Sequence, residues 1–166
     1  MACNMNLEPI KDMEVVKSIL TDSEMWARIK EDDNELEAFE VPDNDELLWL
    51  GIYTDDGLAG MFFIHNLNLS TIQLHAHILE PYREKYAKEA GKLVITYFAH
   101  VMSDRINKLV AEIPVCYPDV YHFSLKNGLK DEGINRASIL KDGEFMDQHR
   151  LGITKQEAIE WLQQQS

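Results

Sequence analysis

Apolar positions change their period several times along the chain, and each change marks an element. From Pro9 onward, Ile10, Met13, Val16, Ile19 and Leu20 fall close to helical spacing, and Met25, Trp26 and Ile29 continue as a second helix. Thr21-Asp22-Ser23 between them supplies a break with a fresh N-cap. Leu47 to Tyr53 and Leu58 to His65 are apolar runs separated by Thr54-Asp55-Asp56-Gly57, whose Asp-Gly pair predicts a tight antiparallel hairpin. From Thr71 the alternation is clean. Ile72, Leu74, Ala76 and Ile78 share one face of a strand; Gln73, His75, His77 and Leu79 share the other. Pro81 ends that strand, and from Glu84 the period turns helical through Tyr86, Ala90, Leu93, Val94, Tyr97, Phe98 and Val101. Ile106 to Val115 predicts another strand. Asp119 caps a short helix from Val120 to Asn127, stopped by Gly128. Gly133 to Leu140 and Glu144 to Ile153 flank Lys141-Asp142-Gly143, a second hairpin signal. Thr154 and Glu157 then form the capping box of a final helix reaching Gln165.

This order of helices and hairpins predicts an α+β layer architecture in a single domain over residues 1–166, long enough to enclose one core. No apolar run approaches the roughly eighteen residues a membrane span needs. The start, MACNMNLEPIKDMEVV, lacks the basic-then-apolar pattern of a secretory signal. Cys3 and Cys116 make no disulfide framework, so a reducing cytoplasm is the expected compartment.

Charge narrows the partners. A net charge of −13 argues against nucleic acid, whose phosphates demand Lys and Arg stripes. Much of the acid is concentrated in Glu31, Asp32, Asp33, Glu35, Glu37, Glu40, Asp43, Asp45 and Glu46, with no Lys or Arg among them. Such a block is a solvated connector, or a rim that lowers the potential near a site and attracts a cationic substrate.

The chemistry gathers in Thr71 to Ser103, a strand, a basic proline-led turn and a long helix. Arg83, Lys85 and Lys88 lie at the helix start, where the macrodipole and free amides favour an anion; the plainer reading is a solvated basic first turn. Tyr86 is either an intruder in an anion site or the first core contact of the helix. His75 and His77 project from one strand face about 7 Å apart by strand geometry. Either can take a proton near neutral pH, or both are structural rings half-buried and hydrogen-bonded. No third Cys, His or carboxylate stands at a linked spacing, so no metal site is expected. Tyr121 is a candidate acid beside Ser124, or packs in the core with its neighbour His122. Glu112 is a further candidate base. Cys116 is a nucleophile only with a base beside it and otherwise packs as a small residue. Asp147 and Arg136 fit a cross-strand pair in the last hairpin.

Two segments, IQLHAHILEPYREKYAKEAGKLVITYFA and DVYHFSLKNGLKDEGINRASILKDGEFMDQHRLGIT, together with the order of elements, resemble the GNAT superfamily of acetyl-CoA-dependent N-acetyltransferases over Ile72 to Thr154. The resemblance implies a mixed, mostly antiparallel central sheet flanked by helices, with acetyl-CoA as co-substrate. Its pyrophosphate would lie at Arg83, Glu84, Lys85, Tyr86, Ala87 and Lys88, and its pantetheine arm between splayed fourth and fifth strands. A backbone N–H near Leu79 would polarise the thioester carbonyl. His75 or His77 would take the proton of an amine or lysine-bearing acceptor, a protein included, and Tyr121 would replace the usual general acid. The His-rich strand followed by Pro-Tyr-Arg also resembles small GNAT-like proteins of tailed bacteriophages, some labelled as head-assembly proteins, which implies a bacterial host cytoplasm. Two departures bear on function. The family's loop carries glycines where this chain has Arg83-Glu84-Lys85-Tyr86-Ala87-Lys88, and the position of the family's acid tyrosine holds Ser124. They favour an alternative: a GNAT-fold binding or phage assembly protein without turnover. A metal-dependent hydrolase has only the His pair behind it. A homodimer through an exposed strand or the Trp161 helix is left open.

Overall fold

The structure, a computed structural model, describes residues 4–166. Its first element is one the periodicity missed. β1 (Met5–Pro9) pairs antiparallel with β2 (Leu47–Thr54) along the sheet edge. Only Met5 and Leu7 turn inward, an alternation too short to stand out in the sequence. The first helix therefore starts later than the apolar spacing suggested. α1 (Met13–Leu20) is capped by Asp12, and α2 (Ser23–Ile29) by Asp22, whose carboxylate accepts the Met25 N–H at the expected break.

β2 turns through Gly57, at φ +115°, into β3 (Gly57–Asn66), and β4 (Thr71–Ile78) pairs antiparallel with β3. The long helix α3 spans Glu80–His100, opening four residues before the expected Glu84. Pro81 stands in its first turn, where a fixed φ suits the helix and a missing N–H costs nothing. Only Leu79 separates β4 from α3, so the expected basic turn is already helix. β5 (Lys108–Pro114) leads to α4 (Pro118–Lys126). β6 (Lys130–Lys141) and β7 (Glu144–Thr154) form the second hairpin, its turn made by Asp142 at φ +54° and Gly143 at φ +79°. These consecutive left-handed residues are what the Asp-Gly signal demanded. α5 (Lys155–Gln164) opens with the capping box of Thr154 and Glu157.

Among the described residues the strands form one seven-stranded sheet in the order β1-β2-β3-β4-β5-β7-β6, antiparallel except for β4 beside β5. Helices cover both faces, and the expected α+β architecture holds. On the α3 side, Phe62, Ile72, Tyr86, Ile95, Phe98, Leu109, Leu151 and Ile153 are almost fully buried. Each such side chain stabilises the fold by about 1.5–3 kcal/mol relative to exposure. A second cluster of Ile10, Val16, Ile19, Leu20, Trp49 and Met61 packs on the opposite face under α1.

The acidic stretch contains one 3₁₀ turn, Leu36–Ala38, and is tied down at its start. Asp32 accepts the N–H groups of Asp142 and Gly143 at 2.9 and 2.6 Å, which fastens it to the β6–β7 turn. No helix among the described residues is long and apolar enough to cross a membrane.

Candidate functional site

β4 and β5 are hydrogen-bonded partners only from Thr71–Gln73 to Lys108–Val110. Beyond them the strands part, because β4 continues beside β3 while β5 continues beside β7. The gap is a cleft of about 480 Å3, walled by the second half of β4, the end of β5, the inner sides of α3 and α4, and α2. Gln73, His75, His77 and Glu112 all line it, as do Ser124 of α4 and Asn127 at its C-terminal cap.

Register places the rings. Trp49, Phe63 and His75 sit opposite one another on β2, β3 and β4, and on that face Trp49 stacks on Phe63 at 4.0 Å between ring centres. Phe63 lies 5.4 Å from His75, and His75 lies parallel to His77 at 6.3 Å. Gly60 allows the close approach of the strands here, since a Cβ on it would stand 2.1 Å from the His77 carbonyl oxygen. Burial pushes the imidazolium of His75 down to about 4, with His65 beside it adding to the effect. Burial pushes His77 lower, to about 3, with His75 adding. Both rings are therefore neutral at pH 7. His77 Nδ1 is buried without a hydrogen-bond partner, so the hydrogen-bonded structural histidine that the sequence allowed is not realised at that atom. A buried polar atom left unmatched costs about 1–3 kcal/mol.

The start of α3 is engaged within the protein. Arg83 donates to the Ile78 carbonyl at 2.8 Å and through both Nη atoms to Glu24 of α2, at 2.8 and 2.6 Å. Glu24 also accepts from Arg28 at 2.7 Å, and Arg28 reaches Asp119 of α4 at 3.0 Å. This charged bridge joins α3, α2 and α4 across one side of the cleft, and Arg83 holds the Glu24 carboxyl below its usual range. Lys85 pairs with Asp56 at 2.6 Å. The Tyr86 hydroxyl also donates to Asp56, while its ring is a core contact with 1% exposure. Glu84 and Lys88 are exposed, and Ala87 lines the cleft. The Leu79 N–H donates to the Ala59 carbonyl at 2.9 Å, so that amide is not available to polarise a carbonyl.

Tyr121 faces away. It does not line the cleft; its hydroxyl donates to Asp131 at 2.7 Å and its ring packs at a tilt against His149, 4.2 Å between ring centres. The bond to Asp131 raises its phenol pKa, which weakens it as an acid, and His122 packs edge-on against it. Ser124 does line the cleft but is buried, with its hydroxyl on the Val120 carbonyl. Glu112 lies within 3.7 Å of Arg150. Cys116 is exposed, not packed as a small core residue, because it follows the end of β5 in an open turn; Cys3 lies outside the described residues. Asp147 accepts from the Ala137 N–H at 2.8 Å, inside a bulge of β6, and among the described residues no ion pair joins it to Arg136. No group of three metal-ligating side chains occurs among the described residues.

Sequence reasoning missed Glu24, Asp56 and His65. The first two are ion-pair partners from distant elements. His65 was in reach: the short loop after Asn66 returns the chain antiparallel, which sets His65 opposite Gln73 and diagonal to His75.

The fold recurs in solved structures. Spermidine N-acetyltransferase from Vibrio cholerae in complex with CoA and spermine superposes with a TM-score of 0.77 at 14% identity, covering 93% of this chain and 98% of that one. Mutant forms of the spermidine/spermine N-acetyltransferase SpeG from Vibrio cholerae give 0.75 at 13% identity, covering 98% of both chains. At such identities the likeness establishes the GNAT-like fold. No curated protein matches the sequence. A family profile does match residues 7–120, from β1 through both walls of the cleft to the first turn of α4, and the chain belongs to that family, described as a protein of unknown function, DUF2824.

Proposed function

We propose that the protein is an acyl-CoA-dependent N-acyltransferase that moves an acetyl group from acetyl-CoA to an amine. The observation that carries this reading is the parting of β4 from β5 into a cleft that ends at the α3 N-terminus and is walled by two neutral imidazoles. His77 lines that cleft, and its buried Nδ1 has no hydrogen-bond partner in the protein. The solved relative that holds CoA and spermine supports the choice of co-substrate and of an amine acceptor.

The thioester supplies the activated acyl group, and the protein's own residues do the rest. The α3 N-terminus favours negative charge through its dipole, and Arg83 supplies a cation there. Glu24 already occupies that guanidinium, so a phosphate must compete with it. His75 and His77 accept hydrogen bonds from the amine and orient its lone pair. Glu31, Glu112 and Asp119 on the cleft walls, with the acidic stretch outside, raise the local concentration of a cation.

Release of free thiol from acetyl-CoA, followed with a panel of lysine peptides and polyamines, tests the reading. Thiol release that depends on one of these amines is expected. Folded protein that releases no thiol with any of them would sink it. A second reading, a GNAT-fold binding protein without turnover, is favoured by the engaged Arg83, Lys85 and Leu79 amide. CoA binding without acyl transfer in the same assay would select it.

A further inference from the structure

The row of rings extends past the cleft wall. His75 and His77 line the cleft, whereas His65, half-buried on β3, does not. His65 Nε2 stands 3.2 Å from His75 Nε2. Their rings stack at 5.4 Å, and Phe63 packs on both, at 5.3 Å from His65 and 5.4 Å from His75. Trp49 backs Phe63, so neither imidazole swings away without breaking the stack.

Two imidazole nitrogens at this distance form a hydrogen bond only when one carries the proton and the other does not. When neither ring carries an extra proton, this bond locks the two into complementary tautomers. With Nε2 turned to His65, Nδ1 is the nitrogen that His75 has left for a ligand. If His75 donates to His65, that Nδ1 is a lone pair; if it accepts, Nδ1 is an N–H donor.

We infer that His65 is a positioning residue for this site: its bond to His75 Nε2 decides whether His75 meets the cleft as a proton acceptor or a proton donor. In the accepting arrangement His75 is protonated on Nε2 and His65 on Nδ1. As His75 Nδ1 takes a proton from the amine, the Nε2 proton passes to His65 Nε2, and the Nδ1 proton of His65 leaves to water. One proton enters and one leaves, so the buried ring never becomes the imidazolium that burial disfavours. The locked tautomers stand on geometry alone; only the identity of the cleft ligand rests on the acyl-transfer reading.

Long-range nitrogen–proton NMR of the full chain with labelled histidine, at neutral pH, reads which nitrogen of each ring is protonated. His65 and His75 are expected as complementary single tautomers. His65→Phe keeps a ring in the stack and should turn His75 into a tautomer mixture, while His65→Gln, whose carboxamide reaches the Nε2 place, should restore one form. In acyl transfer His65→Phe should lower kcat about tenfold or more, on the scale of a lost acid–base contribution, with the KM for acetyl-CoA unchanged and partial recovery in His65→Gln. A His75 tautomer identical in wild type and His65→Phe overturns the inference. So does turnover indifferent to His65→Phe. If the NMR behaves as expected but wild type never turns over, the acyl-transfer reading falls while the positioning of His75 by His65 stands.

Discussion

On the α3 side of β4, Ile72 and Ile78 share one apolar core with Val94, Ile95 and Phe98. On the other side Gln73, His75 and His77 stand beside Trp49, Phe63 and Met61, and two buried ring nitrogens there, His77 Nδ1 and Trp49 Nε1, have no hydrogen-bond partner. One strand thus carries a face sealed in the core at Ile72 and Ile78, with Leu74 and Ala76 between them on the cleft wall, and a face of rings with two unmatched nitrogens. The sealed side chains carry stability and the rings carry the proposed chemistry, and each set can be disturbed separately.

The largest effect is expected among the sealed side chains on the α3 side. Phe98→Ala should lower the unfolding free energy by about 3–5 kcal/mol in urea titration, since the ring is almost fully buried. A loss under about 1 kcal/mol would mean that α3 does not seal this core. The opposite face should respond in the opposite way. His77→Leu removes an unmatched polar atom, so stability should hold within about 1 kcal/mol. Acyl transfer should fall about a hundredfold, the scale of a lost acid–base or orienting group. If His77→Leu unfolds the protein as Phe98→Ala does, the ring is structural and the contrast collapses.

Acid sharpens the same contrast. In the unfolded chain each histidine takes a proton near its ordinary 6.5, whereas the folded rings stay neutral down to about 4 for His75 and about 3 for His77. Between those limits the unfolded chain binds more protons, so stability is full above pH 6.5 and is lost as pH falls toward 4, by at most about 1.4 kcal/mol per pH unit for each ring. Urea midpoints measured at pH 7 and pH 5 should differ, and a His75→Phe/His77→Leu double variant should narrow the difference. An unchanged difference would mean that other groups carry the acid sensitivity.

Much of this was legible in the chain. Strict alternation from Ile72 to Leu79 fixed which residues share each face of β4, and the two Asp-Gly signals and the Thr154–Glu157 box named their turns and cap. Those features are local. The start of α3 was harder: Pro81 reads equally as the end of a strand or the first turn of a helix, and with Leu79 as the only linker the basic residues moved from a loop into the helix. Their partners, Glu24 and Asp56, lie far off in sequence and could not be read from spacing. The orientation of Tyr121 likewise depends on Asp131 and His149, which reach it only through the β6–β7 hairpin.

The smallest effect concerns the charged bridge rather than the strand. Glu24→Gln removes the carboxylate that holds Arg83 and should tighten CoA binding by about tenfold, about 1.4 kcal/mol, read from the CoA concentration that gives half-maximal thermal stabilisation. Weaker binding would mean that Glu24 positions Arg83 for the ligand instead of competing with it.

Isothermal titration of the intact chain with acetyl-CoA tests the central claim most directly. A single site filled at or below millimolar acetyl-CoA, with a negative heat-capacity change from apolar burial in the cleft between β4 and β5, is the expected result. No saturable binding at millimolar acetyl-CoA, at any of several temperatures, would contradict it.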